Sequence, residues 1–248
     1  MKILVCISHV PDTTSKINFI ENNSKFDEKG VQFVINPNDE FGLTRAMWFK
    51  EKQGASVDVI NVGLADTEPT LRKALAIGAD KAIRINSDPK NGLNVAKQIA
   101  HIVSSESYDL VIGGRESIDY NGGMVPGMIA GLINYNFVDK CISLEINNDS
   151  ITAAREIEGG KEIIESKLPL VVAGQKGLVK ESDLRIPNMR GIMMARRKEL
   201  QVINAIDEDN STCTVSFEKP KPKEEITLVS SDNVGELINL LHNEAKAI

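Results

Sequence analysis

Short apolar runs rich in β-branched residues recur through the first half of the chain, each followed by a stretch of helical periodicity. The runs are "KILVCI" at 2–7, "VDVINVG" at 57–63, "AIRI" at 82–85 and "DLVIGG" at 109–114. Runs this short and this continuously apolar suit strands buried on both faces, which is the signature of a parallel sheet. Between them, "DEFGLTRAMWFKEKQG" places Leu43, Ala46 and Met47 on one helical face and stops at Gly54. "DTEPTLRKALAIGAD" opens on a cap-like Asp66 and stops at Gly78. "LNVAKQIAHIVSSE" sets Val95, Ile99, Ile102 and Val103 on one stripe, and "MVPGMIAGLI" supplies a fourth helix. Strands alternating with helices at this spacing predict right-handed crossovers and an α/β, doubly wound, mainly parallel sheet.

The pattern changes after the fourth helix. Residues 137–174 alternate apolar and polar around an Asn-Asn-Asp turn and end in "LPLVVAG". They predict an antiparallel extension followed by one more buried strand. The division expected is a nucleotide-binding α/β domain over 1–183 and a docking loop, linker and C-terminal partner-binding arm over 184–248. Residues 181–203 show little regular period, and "EKPKPKEE" reads as a charged, proline-spaced linker. Val234, Leu237, Ile238, Leu241 and Ala245 then form a helical stripe. From about 184 onward the chain is too polar to bury a core of its own, so this arm packs on a partner or folds back on its own domain.

Composition narrows the function classes. A net charge of -6 argues against a nucleic-acid surface. Cys6, Cys141 and Cys213 lack CxxC or Cys/His spacing, so neither a disulfide framework nor a metal site is expected. His9, His101 and His242 show no mutual spacing of a triad. The apolar stretch of the N-terminus is too short for a signal segment and no later run approaches a membrane span, which predicts a cytoplasmic protein without direct membrane insertion.

In a doubly wound sheet, ligands bind beyond the carboxyl ends of the strands, where the strand order switches. "GRESIDYNGG", Gly114–Gly123, falls at such an end, between a buried strand and a helix. Two readings of it stand side by side. One is a plain βα turn with Asx chemistry at Asp119 and Asn121. The other is an anion cradle, in which Gly122 and Gly123 let backbone N–H groups approach a phosphate at a helix start. "VINPNDEFGLTRA", with Asn36, Pro37, Asn38 and Asp39, and the end of the first strand belong to the same sheet edge, so three loops converge on one crevice. Gly92 lies in a loop away from it. The dinucleotide, P-loop and adenylating-synthetase glycine patterns are all absent.

Several stretches together resemble the β subunit of electron transfer flavoproteins over essentially the whole length. They are "KILVCISHVPDT", "INPNDE", "LRKALAIGADKAIRI", "DLVIGGRESID" and "MRGIMMARRKEL". The most specific is Arg155-Glu156-Ile157-Glu158-Gly159-Gly160, followed by Lys161-Glu162 and "KLPLVV". The resemblance implies a Rossmann-like fold of the adenine-nucleotide-binding type and a heterodimer with an α subunit that holds FAD on a mobile domain. It implies a carrier, not an enzyme, that accepts electrons from acyl-CoA or other flavin dehydrogenases and passes them to a quinone oxidoreductase. An AMP occupies the β crevice in this family. Its contacts carry over to Cys6, Asn36, Pro37, Asn38, Asp39, Leu64 and the run Gly114, Arg115, Glu116, Ser117, Ile118, Asp119, Tyr120, Asn121, Gly122, Gly123, Met124 and Val125. At the phosphate turn many family members carry Thr, Gln or Asn. Here Gly122, Gly123, Met124 and Val125 bring no side-chain donors, leaving backbone N–H groups, Asn121 and Arg115.

Electron-bifurcating relatives hold a second FAD in this crevice and typically show Asp-Gly-Asp-Thr-x-Gln-Val at the turn. This chain has Asp119-Tyr120-Asn121-Gly122-Gly123-Met124-Val125, with Tyr120 in place of a glycine, which favours the non-bifurcating role. A stand-alone nucleotide-binding regulatory module is the alternative from another class; it leaves the long arm and "REIEGG" unexplained. Docking carries over to Ile186–Met194, with Met189 as anchor beside Ile192 and Met193, and Glu156 falls where the family meets the mobile FAD domain.

Overall fold

The computed structural model describes residues 1–147, 150–206, 211–222 and 226–248. Nine strands form one sheet: β1 (Lys2–Cys6), β2 (Ser56–Val62), β3 (Lys81–Asn86), β4 (Leu110–Gly114), β5 (Asn136–Asn147), β6 (Ser150–Ile157), β7 (Gly160–Lys167), β8 (Leu170–Gly174) and β9 (Leu200–Asn204). Their order is β7-β6-β5-β8-β4-β1-β2-β3-β9. Every pairing from β5 to β9 is parallel, and only the β5–β6–β7 extension is antiparallel. The expected doubly wound α/β sheet with an antiparallel extension is therefore the observed one.

The sequence pattern explains the layering. All residues of β4 and β8 are buried. Helices cover both faces to achieve that. α1 (Pro37–Gln53) and α2 (Glu68–Ile77) pack Leu43, Ala46, Met47, Leu71 and Leu75 onto Ile3, Val5 and Val57. α3 (Gly92–Glu106) and α4 (Val125–Ile133) pack Ile99, Ile102, Val103 and Ile129 onto Leu4, Ile60 and Val111. The switch of face falls between β1 and β4, adjacent strands followed by helices on opposite sides. α1 ends at Gly54, whose left-handed φ of 68° supplies the expected stop. β7, the outer edge, carries Lys161, Glu162, Glu165 and Lys167, charges that discourage edge-to-edge pairing.

Some expectations are revised. Asp66 does not cap α2: it lies in a 3₁₀ turn, Ala65–Thr67, closed by Thr67 Oγ1 donating to the Leu64 carbonyl at 2.9 Å, and Thr67 takes the cap position. The stretch 181–203, which shows little period, holds a short helix, α5 (Met189–Ala195), and the edge strand β9. Of the expected Asn-Asn-Asp turn, 148 and 149 lie outside the described residues, as do 223–225 of the linker.

Beyond β9 the chain returns along α3, where the Gln98 amide donates to the Ile206 carbonyl at 3.2 Å and accepts from its N–H at 2.9 Å. Farther on, Phe217 stacks on Phe19, with ring centroids 4.7 Å apart. α6 (Val234–Asn239) continues into a π turn over Leu240–Glu244. Leu237, Leu240 and Leu241 face Thr227 and Val229 of the same arm, and Val234, Leu237 and Ile238 are all exposed. No helix among the described residues is long and apolar enough to cross a membrane.

Candidate functional site

The crevice is built around one carboxylate. Asp39, in the first turn of α1, is 2% exposed. Its Oδ2 accepts the Ser8 N–H and its Oδ1 the Gly114 N–H, both at 2.7 Å. It thus ties the chain leaving β1 to the end of β4, across the point where the sheet changes face. Charge-assisted bonds of this kind contribute about 1.5–3 kcal/mol each. Burial nevertheless dominates its protonation: desolvation pushes the Asp39 pKa up to about 6, and the bonds from Ser8, Asn36 and Gly114 offset only part of that. Cys6 lines the same place. Its thiol is pushed far up, first by burial and then by the Asp39 charge, so it stays a protonated wall and not a nucleophile.

Asn36 precedes α1 at a position where asparagine usually caps a helix, yet its side chain makes no cap bond. Its amide reaches across instead. Nδ2 donates to the Glu116 carbonyl at 2.9 Å and Oδ1 accepts the Ile118 N–H at 3.2 Å. Asn38 Nδ2 reaches the same carbonyl at 3.0 Å. Asn36, Asn38 and Asp39 therefore hold the loop that follows β4, and Pro37 sits in the first turn of α1. Gly114 is required by space. A Cβ there would run into the Asp39 carboxylate and would lie 2.8 Å from Asn38 Cβ and 3.0 Å from Asn36 Nδ2.

The rest of the loop is open. The Asn121 N–H bonds the Ser117 carbonyl at 2.8 Å, and Asn121 takes a left-handed φ of 49°. Asp119 accepts the Tyr120 N–H at 2.8 Å, and Tyr120 is 68% exposed. Gly123 follows at φ 60°, and Met124 occupies the N-cap of α4 with no side-chain cap bond. Val125 begins the helix. Leu64, just past β2, is exposed. Gly92, expected in a loop away from the crevice, lies beside it. It opens α3, and a Cβ on it would lie 3.0 Å from Met124 Sδ and 3.4 Å from Val125 Cγ2. Parallel packing of α3 beside α4 puts both helix starts at one sheet edge. His9, near the rim, stacks on Phe33 at 4.3 Å with its Nδ1 2.8 Å from Thr70 Oγ1, and burial lowers its pKa.

Arg115 and Glu116 belong to a polar chain that the sequence does not announce. Arg115 Nη2 donates to Glu116 Oε1 at 2.6 Å, and Nη1 to Gln175 Oε1 at 3.2 Å. Gln175 Nε2 donates to Glu156 Oε2 at 2.5 Å. Gln175 follows β8, the neighbour of β4, and only that strand order brings it to Arg115.

The second group of expected residues lies elsewhere. α5 rests against the last turn of α2, and a Cβ on Gly191 would strike the Ala76 carbonyl. Arg72 Nη1 donates to the carbonyls of Ala195 and Lys198, both at 2.8 Å, fixing the far end of α5. Ala76 is at the opposite end of α2 from Leu64, so α5 packs away from the crevice. Met189, at 75%, and Met193, Met194, Ile192 and Ile186 are all exposed. Glu156 sits on the exposed hairpin of β6 and β7, opposite Lys161.

Comparison with known proteins places the chain in a family. The sequence model of the electron transfer flavoprotein domain matches residues 24–208. The electron transfer flavoprotein subunit beta of Bacillus subtilis (strain 168) is 32% identical over 262 aligned positions, covering 100% of both chains. That of Dictyostelium discoideum is 30% identical, covering 96% of this chain and 97% of its own. That of Thermoanaerobacterium thermosaccharolyticum is 34% identical over 84% and 80%. The chain belongs to the electron transfer flavoprotein β-subunit family.

Proposed function

We propose that this chain is the non-catalytic half of a heterodimeric electron carrier, holding AMP in its own crevice and docking an α subunit that carries FAD. The observation behind the reading is the crevice at the β1/β4 switch. One wall is locked by Asn36, Asn38 and Asp39, and the other is a glycine turn leading into α4, whose N-cap residue Met124 makes no side-chain cap bond. That is a fit for an anion held by backbone N–H groups. Adenine belongs against Cys6 and Leu64, and the phosphate at Gly122–Val125. Arg115 is committed to Glu116 and Gln175, so the turn relies on its backbone and Asn121.

FAD bound mainly by the partner supplies the redox chemistry. This chain's residues position and recognise. Glu156 meets the FAD domain, and the exposed stripe of α6 packs on the α subunit. Met189, Ile192 and Met193 present adaptable apolar side chains to acyl-CoA or other flavin dehydrogenases. Electrons then leave toward a quinone oxidoreductase, and the setting is cytoplasmic.

The test is co-expression with the α partner. The complex is expected to hold one FAD, and this chain purified alone to be colourless. Two FAD per dimer would instead establish the bifurcating role. In the same complex Met189→Ala is expected to slow electron uptake at sub-saturating dehydrogenase by about tenfold or more, the loss typical of an interface anchor. Assembly and flavin content are expected to stay intact. An unchanged rate would remove Met189 from the docking surface.

A further inference from the structure

A polar connection leaves the crevice through a residue with no assigned role. Glu116 accepts Asn36 and Asn38 on its carbonyl and Arg115 on its carboxylate. Arg115 donates to Gln175, and Gln175 donates to Glu156. Six residues, linked through the Glu116 carbonyl and side chains, thus join the wall of the crevice to the carboxylate on the β6–β7 hairpin. Gln175 is the link that cannot be rearranged. It is 6% exposed, and its backbone N–H is held by the Cys141 carbonyl at 3.2 Å. Its two amide ends are chemically distinct: the oxygen faces a guanidinium, which only donates, and the nitrogen faces a carboxylate, which only accepts. Turning the amide over would break both bonds at once. The backbone reinforces the same route, since the Arg115 N–H bonds the Gly174 carbonyl at 2.7 Å.

We infer that Gln175 is a positioning residue that couples the nucleotide crevice to Glu156, so that nucleotide occupancy sets the orientation of the carboxylate presented to the FAD domain. This rests on the reading of the crevice and of Glu156 given above. A ligand that orders the loop after β4 fixes Glu116 and Arg115. Arg115 fixes the amide of Gln175, and the amide holds Glu156. When the loop loosens, Glu156 is released toward solvent or toward a cationic group of the partner. Coupling between two binding events is reciprocal, so a change at Glu156 must alter nucleotide affinity.

The experiment is a double-mutant cycle on the assembled heterodimer, read by equilibrium dialysis of labelled AMP. Glu156→Ala is expected to weaken AMP binding about fivefold, the low end of coupling between sites. In the Gln175→Met background, which keeps the side-chain volume and removes both bonds, the same change is expected to have no effect. A merely structural Gln175 would shift both arms equally and leave the cycle additive, which overturns the inference. Should Gln175→Met fail to assemble, Arg115→Met interrupts the chain from its more exposed side. The direct loss of Arg115 cancels in its cycle with Glu156→Ala. AMP binding that ignores Glu156→Ala overturns the coupling alone. A wild-type heterodimer that binds no AMP overturns the crevice reading as well.

Discussion

Gly114→Ala is expected to lower the melting temperature of the purified protein by about 6–12 °C. The residue is fully enclosed at the end of β4, and the added methyl would meet the Asp39 carboxylate, Asn38 Cβ at 2.8 Å and Asn36 Nδ2 at 3.0 Å. None of these is the loose end of a long side chain. Asn36 and Asn38 are bound to the Glu116 carbonyl, and Asp39 to two backbone N–H groups. Overpacking of this kind costs about 1–3 kcal/mol, and displacing Asp39 from the Gly114 N–H adds the loss of a charge-assisted bond, so a total of about 3 kcal/mol is expected. For a chain of this size each kcal/mol is about 2–4 °C. Gly131→Ala, on α4 with open space around it, is expected to leave the melting temperature unchanged or slightly raised. A Gly114→Ala transition within about 2 °C of wild type would mean that α1 moves aside freely. The crevice wall would then not be rigid.

Asp39→Asn is expected to destabilise the protein, and by more at pH 4 than at pH 7. The amide keeps one oxygen for one N–H and turns its own NH₂ toward the other. That leaves a buried donor unsatisfied at a cost of about 1–3 kcal/mol. The pH dependence follows from the raised pKa. Between the ordinary value of 3.8 and about 6, the folded state holds a proton on Asp39 that the unfolded state has released. The contribution of this group is therefore greatest below 3.8, declines as pH rises through that window, and is constant above about 6. The variant has no such titration. Denaturant unfolding of both proteins at pH 4, 5, 6 and 7 is expected to show a gap that narrows with rising pH. A gap that widens would mean that the two N–H bonds outweigh desolvation and that the pKa is depressed.

Both substitutions act on residues that the chain advertises, and the reason is physical. β1, β2, β3 and β4 were legible because strands buried on both faces must be continuously apolar, and α1–α4 because each buries a single stripe. "INPNDE" and "GRESIDYNGG" stood out as polar residues crowded at strand ends. What escaped depends on distant parts of the chain. β9 is a half-exposed run, "LQVIN", whose strand character comes from the open edge of β3 and not from its own pattern. Gly191 gives α5 its close approach to α2, a contact that no local period encodes. Gly92 was misplaced because the packing of α3 beside α4 is invisible in either helix alone. Gln175 was missed because it reaches Arg115 only through the insertion of β8 between β5 and β4. The small pair Phe19–Ile20 with Lys25–Phe26 likewise gains its purpose from Phe217, about two hundred residues away in sequence.

The central proposal is that the turn from Gly122 to Val125, with Asn121 beside it, holds a nucleotide phosphate mainly through backbone N–H groups. Gly123→Val tests it where it is most exposed, because φ 60° is closed to a β-branched side chain and the N–H groups of the turn cannot keep their direction. The measurement is acid extraction of the assembled heterodimer followed by chromatographic quantification of adenine nucleotides. The account predicts one AMP per heterodimer in the wild type and in Gly131→Ala, and none in Gly123→Val. A wild-type complex that carries no AMP, and whose melting temperature does not respond when AMP is added, would contradict it.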